Sequence, residues 1–211
     1  MARGRFITLE GGEGAGKSTL AQGLANTLAE RGVEAVVTRE PGGTPNAEAL
    51  RALLVEGEPG RWSPMAETLL LYAAREDHVR NLIEPALERG AWVICDRFHD
   101  STRAYQGAAG GLSASRIAEI HAASLGDFKP DLTLIVDLDP AAGLARTRSR
   151  GEEATRFERQ PSAFHAALRQ GFLDIAMAEP DRCAVLDGAR PAEEVRDAAM
   201  VEINARLGGL S

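Results

Sequence analysis

Short, nearly continuous apolar runs alternate along this chain with longer stretches in which apolar residues recur every three or four positions. The runs Phe6–Glu10, Ala35–Arg39, Ala91–Asp96, Leu132–Leu138 and Cys183–Leu186 read as strands. Ile7-Thr8-Leu9, Val93-Ile94-Cys95 and Leu134-Ile135-Val136 lack the in-out alternation of a half-exposed sheet, which is the pattern of parallel strands covered on both faces. The intervening periodicity predicts helices over Lys17–Arg31, Pro45–Val55, Met65–Glu84, Ser113–Leu125, Pro140–Arg150, Pro161–Ala178 and Pro191–Leu207. Pro45, Pro140, Pro161 and Pro191 suit first-turn positions, where a missing N–H costs nothing. The alternation predicts an α/β fold of three layers, a parallel sheet of about five strands flanked by helices. Glu56–Ser63 and Gln106–Leu112, rich in Gly, read as loops within one domain.

The length of 211 residues suits one well-buried domain spanning 1–211. Apolar residues at 44% and charged residues at 26% are ordinary for a globular protein, with no stretch long and apolar enough to span a bilayer. A net charge of −7 argues against an extended basic face for nucleic acid, yet leaves room for a small anion held by locally converging arginines. Cys95 and Cys183 lie inside strand-like runs, as buried reduced thiols do. His78, His99, His121 and His165 show no zinc-ligand spacing. The basic N-terminal residues run straight into a short strand, so cytoplasm is the expected compartment.

Chemistry enters directly after the first strand. Gly11-Gly12-Glu13-Gly14-Ala15-Gly16-Lys17-Ser18-Thr19 matches G-x-x-x-x-G-K-[ST], in which backbone N–H groups curl round phosphate oxygens and the lysine neutralises charge. Ser18 offers a hydroxyl to Mg²⁺, and the helix that follows presents its N-terminus to anions. A nucleoside triphosphate such as ATP is the implied ligand. Glu13 is unexpected in an anion cradle; it is either a solvated loop residue or a partner for a sugar hydroxyl, water or Mg²⁺.

Two further places bring charge to the carboxyl ends of the strands, where open parallel sheets form their ligand crevice, and a third basic segment follows a predicted helix. Asp96-Arg97 closes the third run; it reads either as a Mg²⁺ ligand beside a phosphate-binding arginine or as a strand-end ion pair. Arg39-Glu40-Pro41 closes the second run ahead of Gly42-Gly43, and a plain turn would require neither charge. Arg146, Arg148, Arg150 and Arg156 bracket Gly151, as helix C-terminal cations or as a lid that closes over a transferring phosphate.

With these segments in order, the chain resembles bacterial thymidylate kinases over nearly its whole length. The resemblance rests on Gly11–Thr19 with Glu13, Thr38–Thr44, Tyr72-Ala73-Ala74-Arg75, Asp96-Arg97, Ser101-Thr102, Ala104–Gly107, Gly126–Thr133 and the arginine-bearing segment after Pro140. It implies the phosphate-loop nucleoside monophosphate kinase fold, ATP as co-substrate, Mg²⁺, dTMP as acceptor and a homodimer. It further implies that Arg75 reads the thymine edge, Arg97 holds the acceptor phosphate, Tyr105 lies by the deoxyribose, and Thr102 and Gln106 border the base. Arg39, Glu40, Pro41 and Leu71 fall on the same acceptor side, and Arg146 on the ATP side. Because the phosphate loop carries no arginine, the chain resembles the lid-arginine type, with Arg150 the first choice and Arg146, Arg148 and Arg156 the alternatives in a mobile lid around 147–160, and Glu13, Lys17 and Arg97 as its catalytic partners. One position departs: Leu71 stands four before Arg75, where the family commonly stacks a phenylalanine on thymine. Phe98 is the candidate to compensate.

A phosphate monoester acceptor is largely anionic at neutral pH, its second pKa being ~6, so the lack of a catalytic acid–base pair fits. The competing readings are a kinase for another nucleoside monophosphate or a nucleoside, and a nucleotide-dependent switch without phosphoryl transfer. The absence of a guanine-reading Asn-Lys-x-Asp motif weighs against the switch.

Overall fold

The computed structural model describes residues 2–149 and 154–208. Strands β1 (Phe6–Glu10), β2 (Ala35–Arg39), β3 (Trp92–Asp96), β4 (Leu132–Asp137) and β5 (Cys183–Asp187) form one parallel sheet in the order β2-β3-β1-β4-β5. The continuous apolar runs are its three central strands, β1, β3 and β4, buried on both faces. Leu9 pairs with Asp96 and Leu134, and Arg39 with Asp96, so the charged residues that end these strands line one edge of the sheet. Chain order reverses around β1, which puts the loop after β1 at the topological switch point.

Helices α1 (Lys17–Glu30), α2 (Pro45–Val55), α3 (Pro64–His78), α4 (Glu84–Glu88), α5 (His99–Thr102), α6 (Ala114–Leu125), α7 (Pro140–Ser149), α8 (Ser162–Ala178) and α9 (Ala192–Leu207) complete the layers. On one face Leu20, Leu24 and Leu28 of α1 and Val195, Ala199 and Ile203 of α9 pack on Ile7, Leu9 and Leu134. On the other, the helical turn Val79–Ile83 and α4 close over Phe6, Val93 and Cys95 while α8 covers Ile135 and Cys183. Fully burying each such side chain contributes roughly 1.5–3 kcal/mol. Thr8 and Thr133, buried in adjacent central strands, satisfy each other at 2.8 Å.

Several predicted boundaries move for identifiable reasons. The third helix starts one residue earlier, at Pro64, because Ser63 caps it by accepting from the Ala66 N–H at 3.2 Å. It does not run unbroken to Glu84: a π-helical turn occupies Val79–Ile83. Pro85 has no N–H for the carbonyl four residues back, and the chain widens so that Glu84 donates to Val79 instead. Pro161 and Pro191 prove to be N-cap residues, one position outside the first turn.

The largest difference is at Gln106–Leu112, read as a loop. Arg103–Ala109 is a π-helical segment continuing α5, and the loop begins only at Gly110. Low helix propensity misleads here because tertiary packing decides: the segment lies so close to α8 that a Cβ on Gly171 would stand 2.6 Å from that of Ala108. This segment carries Tyr105 and Gln106, both buried.

Candidate active site

A cleft of about 1070 Å³ opens along the carboxyl edge of the sheet. Its volume stands at the upper end of the ~300–1000 Å³ range of small-molecule pockets. The phosphate loop forms its floor. Gly14 packs so tightly on α7 that an added Cβ would meet the Gly143 carbonyl at 2.0 Å, which fixes the loop against the helix that carries Arg146. Lys17 is buried, its Nζ curled onto the carbonyls of Gly12 at 2.9 Å and Gly11 at 3.3 Å. Burial, followed by the charge of Arg97, pushes its pKa below the usual lysine value, so an arriving phosphate relieves a poorly solvated cation. Ser18 donates to Asp96 Oδ2 at 2.8 Å, joining the two hydroxyl and carboxylate oxygens of the expected Mg²⁺ position.

Arg97 ties the loop to the rest of the cleft. Its Nη1 donates to the Gly11 carbonyl at 2.8 Å and its Nη2 to Glu13 Oε1 at 3.2 Å, while the guanidinium lies 5.0 Å from the centre of the Tyr105 ring. Tyr105 donates its hydroxyl to the same Glu13 oxygen at 2.5 Å. Burial would raise the Glu13 pKa, but Arg97, Lys17 and the Tyr105 hydrogen bond outweigh it and hold the carboxyl below its ordinary value. The Glu13 puzzle is thereby resolved structurally: its charge is matched by two cations.

Arg97 is also the one non-glycine residue with a left-handed backbone among the described residues, at φ 72°, a conformation that costs about 1–2 kcal/mol. Glu10, buried at the end of β1, holds the turn by accepting from the Phe98 N–H at 2.8 Å and the Ser101 N–H at 3.2 Å, and bonding the Ser101 hydroxyl at 2.5 Å. Burial first, and the neighbouring Asp100 second, push its pKa from 4.5 up to about 7.

The far wall is built from α3, α5 and the π-helical segment. Arg75 is an exception to the rule that a lone helix arginine is solvated, being 1% exposed. Its Nε donates to Glu40 Oε2 at 2.6 Å, and its Nη2 to Thr102 Oγ1 at 3.1 Å and the Phe98 carbonyl at 3.2 Å. Its guanidinium sits between the rings of Tyr72, 4.6 Å away, and Phe98, 5.1 Å away. Glu40 is held in turn by His78 Nδ1 at 3.1 Å, with His78 Nε2 on Thr38 Oγ1 at 2.8 Å. Of the residues that line the cleft, two have a buried polar atom with no partner among the described residues, Arg75 Nη1 and Gln106 Oε1.

The sequence-predicted residues Glu13, Lys17, Ser18, Arg39, Glu40, Pro41, Leu71, Arg75, Asp96, Arg97, Thr102, Tyr105, Gln106 and Arg146 all line this cleft. Arg146 donates to the Gly188 carbonyl at 3.1 Å, on the phosphate-loop side. Arg150 lies outside the described residues. Two expectations fail. Phe98 borders the cleft but offers no open ring face for stacking, because it is fully buried edge-on to Phe6 at 4.9 Å and backs Arg75. Arg156 is not a free lid cation: it is fully buried and paired with Glu67 on α3.

Sequence reasoning missed Arg51, Phe157 and the loop Gly188–Pro191, which also line the cleft. Arg51 donates to the Pro41 carbonyl at 2.7 Å and adds a cation beside Arg39. Its sequence signal is only a single arginine on an amphipathic helix, which is too weak to find it.

A family model described as "Thymidylate kinase" matches residues 9–199. The chain is similar to the thymidylate kinase of Caulobacter vibrioides, 53% identical over 99% of this chain and 100% of that protein. It is likewise similar to the thymidylate kinase of Afipia carboxidovorans, 51% identical over 97% of this chain and 91% of that protein. Among solved structures, the crystal structure of thymidylate kinase from Ehrlichia chaffeensis superposes with a TM-score of 0.78 at 33% identity, covering 95% of this chain and 99% of that one.

Proposed function

The chain belongs to the thymidylate kinase family, and from that premise we propose that it transfers the γ-phosphoryl group of ATP to dTMP, giving ADP and dTDP, with the donor on the phosphate loop and the acceptor against Arg75 and Gln106. The observation that carries the acceptor assignment is the pair of buried, unpartnered atoms on one wall of the cleft, a donor on Arg75 and an acceptor on Gln106. Thymine complements them, with O4 to accept and N3–H to donate. A buried donor or acceptor left unmade costs about 1–3 kcal/mol, so this wall selects the base that satisfies both.

In this reading the phosphate-loop N–H groups and Lys17 hold the β- and γ-phosphates, Arg97 holds the acceptor phosphate with Arg39 and Arg51 nearby, and Tyr105 packs by the deoxyribose. Arg97 touches both the loop and Glu13, so it aligns acceptor with donor. The anionic acceptor oxygen requires no general base, and catalysis consists of alignment plus neutralisation of charge on the moving phosphoryl group. Mg²⁺ fits the oxygen donors Ser18 and Asp96, which would hold it, and it would supply positive charge that offsets the charge of the phosphates. Among the described residues no three His, Cys, Asp or Glu side chains converge, so phosphates and water would supply most of its ligands.

Arg146 is assigned to the ATP side, and Arg150, the lid arginine, to the transferring phosphate. A single domain over 1–211, a homodimer and a cytoplasmic location complete the reading. No helix among the described residues is long and apolar enough to cross a membrane.

The test is ATP consumption by the purified protein with dTMP, dUMP, dCMP, dGMP and free thymidine side by side. The fastest turnover is expected with dTMP and essentially none with thymidine, which brings no phosphate for Arg97. Nucleotide binding without product from any monophosphate would instead indicate a non-catalytic switch, and faster turnover of another acceptor would reassign the substrate.

A further inference from the structure

The amide of Gln106 has its direction imposed from behind. Gln106 is 2% exposed, and its Nε2 donates at 2.8 Å to Glu67 Oε2 on α3. Glu67 is 8% exposed, and its other oxygen accepts from Nη1 of the fully buried Arg156. Arg156 is anchored further by donating its Nε to the Leu54 carbonyl at the end of α2. A carboxylate paired with an arginine has no hydrogen to give, so it takes only the NH₂ end of a neighbouring amide. The carbonyl end, Gln106 Oε1, is then left buried and without a partner among the described residues, on the wall of the cleft.

We propose that Glu67 is a specificity-determining positioning residue: by fixing the Gln106 amide with its carbonyl toward the cleft, it makes the site favour a base that offers a ring N–H over one that offers a bare ring nitrogen. Thymine and uracil belong to the first class and cytosine to the second. Glu67 touches no substrate and acts only through Gln106. The inference rests on the proposed reading in which Gln106 borders the acceptor base.

Glu67→Gln inverts the chain of bonds. Arg156 still needs an acceptor and takes the new carbonyl, leaving the new NH₂ to face Gln106, which must turn its own carbonyl inward and its NH₂ to the base. The experiment measures kcat/KM for dTMP and dCMP in the wild type, Glu67→Gln, Gln106→Ala and the double variant. The dTMP to dCMP ratio is expected to fall about 10- to 100-fold in Glu67→Gln, mainly through KM for dTMP. Gln106→Ala is expected to lower the ratio comparably, and adding Glu67→Gln to it to change the ratio no further.

Should Glu67→Gln not fold, Glu67→Met with Arg156→Met removes both charges at similar volume, a replacement that buried ion pairs commonly tolerate. It still frees the Gln106 amide, and the ratio is expected to fall about fivefold or more. An unchanged ratio in either folded Glu67 variant, with both substrates slowed in proportion, overturns the inference as a packing effect. If Gln106→Ala leaves the wild-type preference intact, the placement of Gln106 at the base fails. If only the Glu67 variants leave it intact, that placement stands and the role of Glu67 falls.

Discussion

The two halves of the cleft are built in opposite ways. The donor half is one contiguous segment, Gly11–Thr19, whose recognition groups are mainly backbone N–H and whose lysine rests on its own loop carbonyls. The proposed acceptor half gathers Arg39 from the end of β2, Glu40 directly after it, Arg75 from α3, Thr102 from α5, and Tyr105 and Gln106 from the π-helical segment, with side chains holding one another in buried ion pairs. A backbone-built site tolerates the loss of a side chain without losing its shape. A side-chain-built site couples each residue to its neighbours, because removing one partner leaves another buried and unpaired.

The largest effect that would sharpen this contrast is Lys17→Ala. Turnover should drop at least about 10³-fold while the thermal unfolding midpoint stays within a few degrees. Near-normal turnover in the folded variant would break the donor assignment. Arg97→Ala, which severs the tie between halves, should cost on the order of 10²–10³ in kcat/KM. The KM for dTMP should rise more than that for ATP, as steady-state titration of both substrates will show. A defect confined to ATP would place Arg97 wholly in the donor half.

Glu10 supports the Arg97 turn, and its titration gives a smaller effect. Its pKa in the folded protein is raised from 4.5 to about 7, so the folded state holds this proton more tightly than the unfolded chain does. The stabilisation is therefore complete below pH 4.5 and lost as pH rises to about 7. Relative to Glu10→Gln, the wild type should lose on the order of 1–3 kcal/mol between those limits, measured by urea unfolding at several pH values. Parallel curves for the two proteins would show that Glu10 does not titrate there. The smallest effect belongs to Leu71→Phe. Restoring an aromatic at this half-buried position of the cleft adds ~0.5–1.5 kcal/mol of stacking, a fall in KM for dTMP of roughly 2- to 10-fold. No fall would show that the base does not lie over this residue.

The same contrast explains what the sequence makes legible. The central strands β1, β3 and β4 and the phosphate loop are local patterns, and they fall within a residue or two of where periodicity and spacing place them. The π-helical turn at Val79–Ile83 follows from Pro85, a local signal overridden in reading by strong helical periodicity on both sides. The segment Arg103–Ala109 was hidden for a different reason: its Ala104 and Ala108 lie against Gly171 of α8, and only the packed structure supplies that partner. On the proposed acceptor half, the residues named by family resemblance do line the cleft, but their partners were not legible. Glu67 and Arg156 stand 89 positions apart in the chain, and nothing local distinguishes a buried pair at that separation from two solvated charges. Phe98 was misplaced likewise, since its neighbour Arg97 turns through a left-handed conformation that sends the phenylalanine into the core.

The central claim is that donor and acceptor are held by separable halves of one cleft, with Arg75 reading the base. Calorimetric titration of Arg75→Met with dTMP and with a non-hydrolysable ATP analogue tests it most directly. Loss of a charged hydrogen-bonding partner predicts dTMP affinity lower by about 100-fold or more, with analogue affinity within about twofold of wild type. Equal losses for both ligands in a folded variant, or dTMP affinity unchanged, would contradict it.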